Sequence, residues 1–183
     1  MKRHISFVLM IVIAFLLVVS VSSVSSAQGF AGTWNIDKTQ SKHADFFDEA
    51  GIIIRIIPNG NNRMTIEQVA TSEYAEITTT TNVVLNGSET TSVWPSGDLP
   101  IFGYEAVAIG SDQTVKSKAV QGSDKSSFDL TSYFTVVVSQ GTYKIVLHSH
   151  YQLSSDGKTL TVTNTRNSRK QGEPVVYILH RID

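Results

Sequence analysis

His148-Ser149-His150 is the only pattern in this sequence with the spacing of a metal site. On a strand, residues i and i+2 project from one face, so both imidazoles could meet a single ion. The flanking residues decide which face that is. Thr142, Lys144, Val146 and Gln152 share the histidines' side, while Tyr143, Ile145, Leu147, Ser149, Tyr151 and Leu153 form the other. The second set is the more apolar and should face a core, which leaves His148 and His150 in water. A metal-dependent enzyme built on them also needs a third ligand. His43 and His180 are the remaining histidines after residue 27, and nothing in the spacing brings either to the pair. No metal and no cofactor are expected.

Other chemistry is equally sparse. Asp45, Asp48 and Glu49 cluster beside Phe46-Phe47, but acid–base work needs a desolvated carboxylate, and a short exposed turn does not provide one. There is no Gly-x-Ser-x-Gly, no cysteine, and no glycine-rich loop leading into a helix. Asn86-Gly87-Ser88 fits a glycosylation sequon, although a hairpin turn already accounts for Asn-Gly. No catalytic residue is assigned.

The first 27 residues have the three parts of a secretory leader. Lys2, Arg3 and His4 are followed by an apolar run from Ile5 to Val19, broken only by Ser6, and then by a Ser-rich stretch ending in Ser25-Ser26-Ala27. Small residues at −3 and −1 place the cut after Ala27, giving a signal peptide 1–27 and one domain 28–183. No cysteine follows the run, so a lipid-anchored lipoprotein is excluded. The expected product is secreted or periplasmic and not inserted in a membrane. It has about 156 residues, enough for one domain with its own core. The whole chain carries 15 Lys+Arg against 16 Asp+Glu; losing Lys2 and Arg3 makes the balance about −3, which gives no field for nucleic acid. With no disulfide to help, the domain must be held by its core and its ladders, a condition that suits a bacterial envelope or exterior.

Beyond the leader, Val, Ile, Thr, Tyr and Phe recur in short runs between turn residues. Strands are expected at Thr33–Asp37, Ile52–Ile57, Arg63–Ala70, Ala75–Leu85, Ser88–Trp94, Tyr104–Ile109, Thr114–Ala119, Phe128–Ser139, Tyr143–Leu153, Thr159–Asn164 and Val175–Ile182. Lys38–Gly51 is the one candidate for a short helical turn. Asn86-Gly87 is the strongest hairpin signal, because both residues tolerate φ > 0. Sequential hairpins at near-regular spacing predict a single all-β domain, an antiparallel up-and-down barrel of about 8–10 strands, closed to remove exposed edges. A two-sheet sandwich is the competing architecture.

Three places carry a resemblance. Gly32-x-Trp34 resembles the first-strand motif of lipocalins, whose indole packs across the closed end of the barrel. Arg181 falls at the end of the last strand, where that superfamily often sets a basic side chain over this Trp. More broadly, Gly32-Thr33-Trp34…Lys38…Ser41-Lys42 with Asp156-Gly157-Lys158-Thr159-Leu160-Thr161-Val162 is similar to a group of small exported bacterial lipocalin-like, calycin-type proteins. The resemblance implies a barrel closed by Gly32, Trp34 and Arg181, and a lumen for a small, mainly apolar molecule. The Arg-x-Tyr carboxylate clamp of fatty-acid-binding proteins is missing, since the last strand reads Tyr177-Ile178-Leu179-His180-Arg181.

Candidate lumen residues are Ile53, Met64, Ile66, Val83, Tyr104, Phe128, Phe134, Tyr143, Leu147, Tyr151 and Tyr177. The segment Trp94–Phe102 combines Pro95 and Pro100 with Trp94, Leu99, Ile101 and Phe102. It reads as a partial lid, with Trp94 and Phe102 facing the entrance. Ligand contacts are therefore assigned to Trp94, Phe102, Tyr104, Phe134, Tyr143, Leu147, Tyr151 and Tyr177. A barrel of this size either holds one small molecule or fills with side chains. The first outcome implies a non-catalytic binding protein, the second an envelope or extracellular interaction protein working through its surface.

Overall fold

A computed structural model describes residues 26–42, 51–71, 76–95, 97–99, 107–109, 113–138, 141–167 and 174–183. A short helix α1 (Ser26–Phe30) precedes β1 (Gly32–Ile36), β2 (Gly51–Pro58), β3 (Arg63–Thr71), β4 (Glu76–Val84), β5 (Asn86–Trp94), β6 (Gly97–Leu99) and β7 (Val107–Ile109). Then come β8 (Gln113–Gln121), β9 (Ser127–Val138), β10 (Gly141–Leu153), β11 (Thr159–Arg166) and β12 (Val175–Arg181). Ten strands make one antiparallel sheet in the order β4-β3-β2-β1-β12-β11-β10-β9-β8-β5, and β6 pairs with β7 alone. The all-β, up-and-down architecture expected from the turn spacing is what forms. Of the segment expected to be helical after the first strand, Lys38–Gln40 form a turn, while residues 43–50 lie outside the described residues.

Successive strands neighbour one another, and β1 lies between β2 and β12, so the sheet curls until its outer strands β4 and β5 meet. Period-2 alternation then sends one face of each strand inward. Trp34 and Ile36 of β1, Ile52, Ile54 and Ile56 of β2, and Val162 of β11 are buried there, as are Tyr177 and Leu179 of β12. The register gives the barrel two ends. Trp34, Ile56, Met64, Val83, Phe128, Tyr151 and Leu160 lie toward one end, the base, and Ala70, Ile77, Trp94, Phe134, Ile145 and Val175 toward the other, the rim.

The meeting of β4 and β5 corrects one sequence expectation. Asn86-Gly87 was expected to sit at the tip of an ordinary hairpin, yet no ladder joins the two strands among the described residues. The chain does reverse, at Leu85, but Gly87 (φ +83°) is spent on an irregularity where β5 pairs with β8, between Asn86 and Glu89. Side chains bridge the seam instead. Asn82 N–H donates to Ser92 Oγ (2.8 Å), and Thr90 Oγ1 donates to the Asn82 carbonyl.

Candidate functional site

The base explains why Gly32-x-Trp34 stands where it does. Helix α1 folds under the barrel and buries Ala27 and Phe30 completely. Trp34 Nε1–H donates to the Phe30 carbonyl (3.1 Å), and the Arg181 guanidinium lies 4.3 Å from the centre of the indole. That guanidinium also donates to the carbonyls of Gly157 (3.1 Å), Gly29 (3.1 Å) and Ala31. A side chain at position 32 would collide with it: a Cβ there would sit 2.7 Å from Arg181 Nη1, on a backbone with φ +140°. Above this plate, Phe30 meets Phe128 edge-on (4.9 Å, 84°), and Phe128 stacks on Tyr151 (4.4 Å, 9°). Gly32, Trp34 and Arg181 thus meet at this end of the barrel, with the rings of Phe30, Phe128 and Tyr151 packed above them.

The rim half differs in chemistry. Trp94, the last residue of β5, points inward, its ring 5.2 Å from that of Phe134 and tilted by 45°. Its Nε1–H donates to Thr81 Oγ1 (3.2 Å). Thr81 follows Thr79 on the inner face of β4, and Thr79 stands opposite Gln68 of β3 in the ladder. Ser117 and Ser132 face each other across β8 and β9 with their hydroxyls 3.2 Å apart, and Ser149 stands opposite Asn164 across β10 and β11. All of these are buried. The inner faces of the rim half therefore carry a buried polar belt interleaved with Ile66, Leu130, Leu147 and Val115. Gln68 Oε1 is buried without a hydrogen-bond partner, and so is the Tyr151 hydroxyl nearer the base. Burial in apolar surroundings drives the Tyr151 pKa well above the ordinary tyrosine range, so it is a neutral phenol at any physiological pH.

The expected site residues divide as follows. Trp94, Phe134, Leu147, Tyr151 and Tyr177 are inside, as are Met64, Ile66, Val83 and Phe128. Tyr143 has the right parity but is 47% exposed, because the start of β10 runs past the level at which other strands enclose its inner face. Ile53 faces outward and is half-buried; its neighbours Ile52 and Ile54 are the inner residues of β2. Trp94 is an interior side chain; of the rest of the segment expected as a lid, Gly97–Leu99 form β6, and residues 96 and 100–102 lie outside the described residues. Phe102 and Tyr104 lie outside the described residues, as do Asp45, Asp48 and Glu49. The belt itself was missed as a feature. Its signal was present in the alternation, since Ser149 shares a face with Leu147 and Tyr151, but small polar residues suit either face of a strand.

His148 and His150 lie outside the barrel, as their parity requires. His148 Nδ1 is 3.0 Å from Thr131 Oγ1, and His150 Nδ1 is 2.7 Å from Asp129 Oδ1. Among the described residues no group of three His, Cys, Asp or Glu side chains could hold a metal ion. On the same outer surface, Asp37 accepts bonds from Thr39 and Gln40 and lies 3.3 Å from His180 Nε2. The Thr39 hydroxyl, then Gln40, hold its carboxyl well below the usual carboxylate range. This knot secures the exit of β1, and nothing in it faces the interior. Among the described residues no helix is long and apolar enough to cross a membrane.

No protein-family model matches the sequence, and no curated protein matches it. Among solved structures, the chain is similar to a redesigned β-barrel, mFAP1, bound to DFHBI, at 14% identity and a TM-score of 0.39. That match covers 86% of this chain and 99% of the designed one.

Proposed function

We propose that the protein is an exported, lipocalin-like, non-catalytic binding protein that takes a small, mainly apolar molecule into the open half of its barrel. The observation that carries this is the division of the interior. The base is packed with Trp34, Phe128 and Tyr151, whereas toward the rim the Trp94–Phe134 ring pair stands in a belt of inner polar side chains, one of which, Gln68, keeps a buried carbonyl without a partner. The inner face holds no nucleophile–base pair among the described residues, and interior placement on rigid strands is what a binding site needs. Export is part of the same proposal. Ala27 would leave with the leader, but Phe30 and the carbonyls of Gly29 and Ala31, which hold Trp34 and Arg181, all lie after the cut.

Titration of the mature protein with Nile red, followed by dye emission and by tryptophan fluorescence, tests the binding. Saturable micromolar binding that quenches or shifts the Trp94 signal, and that is weakened in Phe134→Ala, is the expected result. The tight filling of the base favours a second reading, a barrel packed throughout that acts through its outer surface. Absence of saturable binding across a varied apolar panel would select it. Mass spectrometry of the exported chain should find Gln28, free or cyclised, as its first residue; a membrane-held product retaining residues 1–27 would end the exported-protein reading.

A further inference from the structure

We infer that the molecule bound in the open half carries a neutral hydrogen-bond donor, of the amide or alcohol class, which it delivers to the side-chain carbonyl of Gln68. This rests on the binding reading above and adds the chemistry of the ligand.

The charge pattern comes first. On the inward-facing positions of the described strands, Arg166 stands at the rim opposite Leu147, and Arg181 lies under the base over Trp34. Between them the inner face carries no Asp, Glu, Lys, Arg or His. An ionic head taken in there would lose its hydration with no counter-charge to offset the loss. A neutral polar group meets no such penalty.

The unpaired acceptor comes second. Gln68 Oε1 is buried with no partner, a state less favourable than that of a satisfied carbonyl. A donor arriving from a ligand removes that cost. Gln68 and Thr79, opposite one another in the ladder, keep 5% and 8% of their surface accessible, whereas Trp34, Phe128 and Tyr151 at the base keep none. Gln68 Oε1 itself is buried, so a donor meets it only from within the barrel interior.

Continuity comes third. Phe134 touches Trp94, Trp94 donates to Thr81, and Thr81, Thr79 and Gln68 follow one another on the inner face of β4 and β3. A flat apolar body against the two rings would thus direct its polar end along the threonines toward Gln68. A bound water offers a rival partner for the carbonyl, and the comparison below separates the two.

Calorimetric titration of the mature protein with 2-naphthamide, 2-naphthoate and 2-methylnaphthalene tests this. The amide should bind at least ~10-fold more tightly than either of the others. Gln68→Met should bring it to the level of 2-methylnaphthalene while changing the latter by less than ~2-fold, and Thr79→Val gives a second variant should Gln68→Met fold poorly. Equal binding of all three would refute the Gln68 assignment, leaving the carbonyl to water, and yet sustain apolar binding. Naphthoate binding most tightly, with the advantage lost in Arg166→Gln, would refute it in favour of an anion held at the rim. Saturable binding by none of the three would remove the binding reading itself.

Discussion

The two halves of this barrel are built from the same ten strands but spend their side chains differently. At the base, large rings and aliphatic chains interlock, and the one strong polar group, Arg181, has its guanidinium committed to three carbonyls and an indole. Toward the rim, Ser, Thr, Gln and Asn replace much of that apolar volume, and an inner carbonyl is left without a partner. A buried polar group adds little net stability even when paired and subtracts when unpaired. The contrast therefore separates a half packed for stability from a half whose interior polar groups add little to it.

The base should accordingly show the largest mutational losses. Trp34→Ala removes a fully buried indole and should cost about 3–5 kcal/mol in denaturant unfolding. An unchanged midpoint would mean that the indole closes nothing. Arg181→Ala comes next, at about 1.5–3 kcal/mol, because it strips charge-assisted bonds from the Gly29, Ala31 and Gly157 carbonyls along with the stacking on Trp34. Gln68→Met, in the rim half, should change stability by less than about 1 kcal/mol, since the carbonyl it deletes is unpaired. A loss above ~2 kcal/mol there would erase the distinction between the halves.

Tyr151→Phe sharpens the comparison from the other side, since its hydroxyl is the unpaired group nearest the base. Stability at neutral pH should be equal or slightly higher. The folded-state pKa is raised, so the hydroxyl contributes stability that is intact below the unfolded value of ~10 and is lost as pH rises beyond it. Melting temperature should thus fall above pH ~10 in the parent and fall less in Tyr151→Phe. The smallest effect is expected in acid. Asp37, Glu89, Asp124 and Asp156 all have lowered pKa values, so their stabilisation is present above the unfolded carboxylate range and declines as pH drops below ~4. Asp37→Asn should flatten that acid limb, and a limb of unchanged slope would show that the Thr39–Gln40 knot contributes nothing.

Much of the fold was legible because alternation on isolated strands is unambiguous. In β10 it put Leu147, Ser149 and Tyr151 inside and both histidines outside. Gly32, Trp34 and Arg181 were legible through a motif whose reason is steric and now visible. The failures have physical causes. Ile52-Ile53-Ile54 is apolar on both faces, and the one marker of phase in β2, Arg55 on the face of Ile53, was outweighed by that run. Tyr143 obeys the phase of its strand, but periodicity says nothing of how far neighbouring strands extend beside it. Trp94 next to Pro95 read as loop chemistry, although the proline only ends β5 after the indole has turned inward. The polar belt went unrecognised because a strand position does not reveal whether a serine is tolerated there or required.

The placement of β1 between β2 and β12 has a kinetic consequence. Ile182 N–H donates to the Thr33 carbonyl, and Asp183 accepts from the Thr33 N–H, so the final residues latch the beginning of the sheet. Trp34 pairs with Arg181 across nearly the whole chain. Closing so long a loop must precede any reward from the contact, which places the protein among slow, high-contact-order folders on a millisecond-to-second scale. Until the C-terminal strand arrives, β1 lacks one of its two neighbours and the base cannot seal. A ribosome releasing this chain from its N-terminus therefore delivers an open sheet, which becomes a barrel only when β12 is free.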